Sequence, residues 1–161
     1  VSGKSIFRLF REQIYEPLGM VHTIHDWDLG YSIHSTAADL AKVGQLLLNK
    51  GVYDGRRYFS ESVYEEILPQ DLSKYYPKIK QKWGIGLTMM NWEVKDEDTG
   101  EKRYLLSDQI IGHGSATASV LWVDLKNNLV ITQSRRKGKK NFGKHYRKLI
   151  EVLESHLEDL E

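Results

Sequence analysis

The chain has 161 residues, 40% hydrophobic, 28% charged and 11% aromatic, with 23 Lys and Arg against 22 Asp and Glu for a net charge of +1. That is one domain's worth of chain with enough apolar residues for a core, and it excludes disordered, collagen-like and strongly basic nucleic-acid-binding classes. Cysteine is absent, which removes disulfides, thiolate metal sites and a cysteine nucleophile. No apolar run approaches the roughly 20 residues of a membrane span.

The start at Val1-Ser2-Gly3-Lys4 is neither an initiator Met nor a signal peptide, so the chain is expected to be part of something longer. Over residues 5–16 the i, i+4 spacing of Ile6, Phe10 and Ile14 predicts an amphipathic helix, which Pro17 stops before Leu18-Gly19-Met20. Thr36 is placed to cap a second helix, with Asp39 three residues on and Ala37, Leu40, Val43 and Leu47 as its buried stripe before Gly51. A third, short helix is expected after Ser60, with Phe59 and Tyr64 spaced as a hydrophobic staple and Pro69 beyond the last turn.

From Trp83 the pattern changes period. Trp83, Ile85, Leu87 and Met89 alternate with small or polar residues and predict a strand, against which Arg103-Tyr104-Leu105-Leu106 should pair after the acidic turn Asp96-Glu97-Asp98-Thr99-Gly100. Residues 118–124 and 129–133, joined by Lys126-Asn127-Asn128, predict a β-hairpin. A long terminal helix follows, with Phe142, Tyr146, Leu149, Ile150, Leu153, Leu157 and Leu160 along one face. Nothing repeats and no linker divides the chain. The expected organisation is one domain over residues 1–161, mainly helical to 82 and then antiparallel strands plus a covering helix. Because turns rather than helices join the late strands, the fold class is α+β, layered α/β/α, rather than a doubly wound parallel sheet.

The stretch Ile111-Gly112-His113-Gly114-Ser115-Ala116-Thr117-Ala118-Ser119-Val120 crowds small residues around one histidine. Residues that small, expected at the start of a strand, leave backbone N–H groups open to a ligand, with His113 placed to hold or polarise it. The run resembles the third conserved box of the penicillin-binding-protein-like serine hydrolases, especially the class C β-lactamase and esterase branch, in which Lys-Thr-Gly or His-x-Gly begins a sheet-edge strand. Three other segments agree in order. Glu16-Pro17-Leu18-Gly19-Met20 with Thr23 is similar to that family's "PLGM…T". Ser35-Thr36-Ala37-Ala38-Asp39-Leu40-Ala41 is similar to its "STa.DLa", and Trp83-Gly84-Ile85-Gly86-Leu87 to its "yGlGw".

The resemblance implies a β-lactamase/transpeptidase-like fold, here in part, and a parent that acylates and deacylates an amide, ester or β-lactam. Its Ser-x-x-Lys and Tyr-x-Asn motifs are not matched in these residues: no tyrosine has Asn two positions later, and Ser134-Arg135-Arg136-Lys137 leaves a strand for a basic loop instead of opening a helix. The nucleophile is therefore expected upstream of Val1, and this chain alone is expected to be inactive. His113, Gly114, Ser115 and Ala116 remain as the oxyanion-side part of the site, with the Ala116 N–H at the family's second oxyanion donor position. Ser115 and Ala118 stand where glycines are usual, which leaves open a non-catalytic interaction module that keeps the fold. The resemblance also implies a small-molecule or peptide-like substrate and N-terminal strands that complete the sheet. Their absence exposes the edge of the strand from Leu129 to Gln133 and predicts a homodimer through it. Exported parents are common in the family, though the compartment is left open. No cofactor and no metal are expected, since His22, His25 and Asp26 lack a third ligand. The run Arg135-Arg136-Lys137-Gly138-Lys139-Lys140 is not read as a nucleic-acid site. It joins strand to helix without interleaved aromatics and is offset by Glu151, Glu154, Glu158 and Asp159.

Overall fold

The computed structural model describes residues 2–30, 32–96 and 99–158. Expectations that fall on Glu97, Asp98, Asp159 and Leu160 lie outside them, as does the side chain of Glu158.

Helix α1 (Ile6–Phe10) begins where the Ser5 hydroxyl accepts the Arg8 N–H, and it runs on into a π-helical segment, Arg11–Tyr15. There the Glu16 amide reaches back five residues to the Arg11 carbonyl, at 2.9 Å. The wider winding rotates the apolar face: Tyr15 is buried, whereas Ile6, at the head of the predicted stripe, is 44% exposed. The two-residue strands β1 (Ile24–His25) and β2 (Ile33–His34) form a small hairpin.

Helix α2 (Ala37–Leu48) is capped at Thr36, whose hydroxyl accepts the Asp39 N–H. The short strands β3 (Val52–Tyr53) and β4 (Arg56–Arg57) and helix α3 (Glu61–Ile67, capped by Ser60) complete the first half. The second half holds β5 (Thr88–Met89), β6 (Trp92–Lys95), β7 (Lys102–Leu105), β8 (Ile110–Gly114), β9 (Val120–Asp124), β10 (Leu129–Gln133) and helix α4 (Phe142–Glu158).

The central sheet is antiparallel with the order β10-β9-β8-β5. Strand alternation sends its residues to two different cores. Ile110, Val120, Trp122 and Ile131 pack with Tyr146 and Ile150 of α4, while Ile111 and Val123 pack with Leu47 of α2 and Leu87. The fold is thus α+β with a sheet between helical layers, as the resemblance implied. Gly44 lets α2 come this close, because a Cβ there would lie 2.4 Å from Val130 Cγ1. On the α4 side Trp122 meets Trp92 and Tyr146 edge-on, with ring centroids 5.5 and 5.1 Å apart. Leu149 sits at the margin of the predicted α4 face and is 43% exposed.

One predicted strand is overturned. Of residues 83–89 only Thr88 and Met89 are a strand, and Trp83 makes isolated bridges to Gln70 and Thr88. Gly86 takes φ +74°, and a Cβ on Gly84 would lie 2.1 Å from the Ile67 carbonyl oxygen, so the chain bends tightly past the end of α3. Ile85 is left 72% exposed and Trp83 42%, which removes Trp83 from the core as well. Accordingly Arg103–Leu105 do not pair with this segment. β7 pairs with β6, Val94 facing Arg103, and β5 pairs with β8 instead.

Candidate active site

The two segments that resemble "PLGM…T" and "STa.DLa" meet at one carboxylate. Asp39 is 2% exposed and accepts the His22 N–H at 2.8 Å, the Thr23 hydroxyl at 3.0 Å and the Lys42 ammonium at 2.9 Å. Lys42 also donates to the Gly19 carbonyl. Burial alone would raise the Asp39 pKa, but Lys42 and the two neutral donors outweigh it and hold the group below its ordinary value. The pair fastens the start of α2 to the turn after Pro17, a structural reason for those residue types at that spacing.

The box residues lie where β8 ends, not where a strand begins. His113 and Gly114 are the last two residues of β8, facing Leu121 and Val120 of β9. On the other side β5 pairs only as far as Gly112, so beyond it that edge of β8 has no strand partner among the described residues. Gly112 is required by the close approach of β9, because a Cβ there would lie 2.0 Å from the Leu121 carbonyl oxygen. Gly114 faces Met90, whose Cε would lie 4.0 Å from a Cβ at that position. The Thr88 hydroxyl steadies this corner by donating to Met90 Sδ, 2.9 Å.

Residues 115–119 turn the chain from β8 into β9. The Ser115 N–H donates to the Ser119 carbonyl and the Ala118 N–H to the Ser115 carbonyl, both at 2.9 Å. The Ser115 hydroxyl does not project into open space: it accepts the Thr117 and Ser119 amides at 3.3 and 3.1 Å and shares a hydrogen bond of 2.8 Å with the Thr117 hydroxyl. Serine thus braces the turn where glycine is usual in the family. Ala118 takes φ +63°. Four of the turn's five amides are engaged, and the fifth, the Ala116 N–H, has no acceptor among the described residues. His113 is exposed, and its ring likewise has no hydrogen-bond partner among them.

Sequence reasoning missed what holds the turn from behind. The Ser119 hydroxyl donates to the Arg135 carbonyl at 3.1 Å and accepts the Arg135 N–H at 2.8 Å, so residues 134–141, between β10 and α4, are fastened to the box. No local signal could have found that contact, which depends on the register of β9 against β10. Ser134 donates to the Ser35 carbonyl at 3.0 Å, and it and Lys137 lie on irregular backbone rather than in a helical turn. His25 shares a hydrogen bond of 2.9 Å with the Tyr15 hydroxyl through Nδ1 and stacks on the ring of Phe10, while its Nε2 is buried without a hydrogen-bond partner among the described residues. Among the described residues no group of three or more His, Cys, Asp or Glu could hold a metal ion. Two concavities lie elsewhere and do not include the box. One of about 400 Å³ lies against Phe7, Tyr15 and His25, and another of about 390 Å³ against Met89, Asn91 and Tyr104.

The model of the Beta-lactamase family matches residues 1–151, and the chain belongs to that family. No curated protein matches the sequence. Solved structures share the fold. A β-lactamase from Mycobacterium bovis superposes with a TM-score of 0.72 at 22% identity, over 97% of this chain and 58% of its own. A protein from Bacillus anthracis described as a 6-aminohexanoate-dimer hydrolase gives 0.67 at 21% identity, over 98% and 40%. One from Bacteroides dorei described as a β-lactamase gives 0.58 at 18%, over 92% and 53%. The chain therefore spans between two fifths and three fifths of these relatives' length.

Proposed function

We propose that this chain is the C-terminal part of a serine hydrolase that cleaves an amide, an ester or a β-lactam through an acyl-enzyme, and that it supplies the oxyanion side of the site. The observation that carries the reading is the unengaged Ala116 N–H beside the exposed His113 at the open end of β8. A backbone donor held by a braced turn costs no reorganisation when negative charge develops on the substrate oxygen. His113, with no competing partner, is free to orient or polarise the same group. The engaged hydroxyl of Ser115 favours this reading over a non-catalytic module, since serine here stabilises the turn that carries Ala116.

The nucleophilic serine and its lysine come from residues outside these 161, and the chain alone is inactive. A fluorescent penicillin tests both halves of the reading. It should leave the 161-residue chain unlabelled and label the longer polypeptide that contains it, at a serine outside this sequence. Labelling of the isolated chain would overturn its inactivity. A longer polypeptide that neither reacts with penicillin nor hydrolyses p-nitrophenyl esters would overturn the enzyme.

A further inference from the structure

Residues 71–82 form a loop closed at its base by Gln70 and Trp83, and its last residues reach β5, where the Lys82 carbonyl accepts the Met89 N–H at 3.3 Å and the Gln81 side-chain amide donates to the Met89 carbonyl at 3.4 Å. The Gln70 N–H donates to the Trp83 carbonyl at 2.9 Å and the Trp83 N–H to the Gln70 carbonyl at 3.1 Å. Between these anchors the backbone is held in successive turns. The Tyr75 and Tyr76 amides both donate to the Leu72 carbonyl, and the Ile79 amide donates to the Tyr76 carbonyl at 2.9 Å. Leu72 and Ile79 are half-buried. What the loop turns outward is of two kinds. Lys74, Lys78, Lys80 and Lys82 are all exposed and none forms a salt bridge, while Tyr75 and Tyr76 are 68% and 60% exposed. Trp83 and Ile85 extend the apolar part. From Lys74 to Trp83 there is no acidic residue. The carboxylates nearest these lysines are Asp71 at the start of the loop, which Lys82 helps keep ionised, and Glu93 and Asp108 across the concavity that Lys80 and Lys82 line, Glu93 being paired with Lys102.

We propose that this loop is an interfacial docking surface for an anionic phospholipid bilayer. The argument is charge complementarity together with the kind of apolar residue present. Lysines at a negatively charged leaflet each contribute of order 1 kcal/mol, and tyrosine and tryptophan rings settle at the headgroup level, where an apolar body and a polar tip are both accommodated. A nucleic-acid surface is the weaker fit. The loop has no arginine to fork a phosphate, one face of Tyr75 already lies under the Lys74 ammonium at 5.6 Å, and Ile85 has nothing to offer a phosphate backbone. Because the turns already order the loop, little conformational freedom is lost on docking. The surface lies on a membrane and does not span it: no helix among the described residues is long and apolar enough to cross one.

The test is co-sedimentation of the 161-residue chain with vesicles of phosphatidylglycerol and phosphatidylcholine in equal parts, against phosphatidylcholine alone, over a salt series. The expected result is sedimentation with the anionic vesicles only, falling as salt shortens the Debye length below about 10 Å. Lys78→Gln and Lys80→Gln should each weaken partition about five-fold, and Tyr75→Ser with Tyr76→Ser should weaken it at every salt concentration. Arg136→Gln with Lys137→Gln, in the other basic loop, should leave it unchanged. These are exposed positions, and the salt series on the unmodified chain needs no variant. The proposal is overturned if the chain does not sediment with anionic vesicles at low salt, if binding survives the loop substitutions, if the control pair abolishes it, or if a single-stranded RNA competes the chain off the vesicles through the same lysines.

Discussion

Ala118 carries backbone strain that glycine would not. At φ +63° its Cβ crowds the following carbonyl, a conformation that costs an L-residue about 1–2 kcal/mol. Ala118→Gly should therefore stabilise the chain by about 1 kcal/mol in urea unfolding, the relief of strain exceeding the added freedom of the unfolded chain. If the strain is what aims the Ala116 N–H, the same substitution should slow acylation in the longer polypeptide while raising its stability. Asp39 gives a second prediction, in pH. Its folded-state pKa lies below the ordinary 3.8, so its stabilisation is complete above that value and is lost as pH falls through the lower, folded-state value. Asp39→Asn should be less stable near neutral pH by about 1–3 kcal/mol, through the loss of the charge-assisted bond from Lys42. Its stability should fall less steeply below pH ~4. Acid titration of both forms followed by circular dichroism measures the difference, and parallel curves would refute it.

At the scale of elements, β8 against β9 is the joint on which the box depends. Gly112→Ala sets a Cβ 2.0 Å from the Leu121 carbonyl oxygen, which is backbone and cannot rotate away. The strands must separate there, at a cost of about 3 kcal/mol or more, and amide exchange should quicken at His113 and Val120 before it quickens in α2. The elements that were legible in the sequence are those whose signals are local. Thr36 and Ser60 cap α2 and α3 through their own neighbouring amides, and residues 129–133 pair where their alternation and the turn before them place them. Residues 83–89 were misread because alternation reports a side-chain pattern, and it does not register that Gly84 must pass against the Ile67 carbonyl. Once that segment bends, Arg103–Leu105 take the nearer partner, β6, whose own alternation at Trp92 and Val94 was the available signal. The site follows the same rule. His113 to Ala116 were recognisable as a cluster of small residues, whereas the brace from Ser119 to Arg135 exists only once β9 and β10 are in register.

For the whole molecule, the open question is what lies against β10. It is the outer strand of the sheet, five residues long, with Ile131 buried and its neighbours half-buried. Its outward row of N–H and C=O groups finds no partner strand among the described residues. Charged side chains or a proline on the strand would discourage pairing with another chain, and Leu129-Val130-Ile131-Thr132-Gln133 has neither. The other edge is treated differently: β5 is two residues long and is covered in part by the backbone of Lys82, whose carbonyl accepts the Met89 N–H at 3.3 Å. An unprotected edge on one side only is the condition for a closed two-fold pair, in which two β10 strands align antiparallel and neither is left open. We therefore expect the 161-residue chain to dimerise through Leu129 to Gln133. Light scattering should give twice 18.7 kDa at micromolar concentration and above, and the melting temperature should rise with protein concentration, as mass action requires of a pair that forms only between folded chains. A mass that stays at 18.7 kDa across the concentration series would rule the pairing out. In a longer polypeptide whose added residues cover β10 the expectation reverses, and that protein should scatter as a monomer under the same conditions.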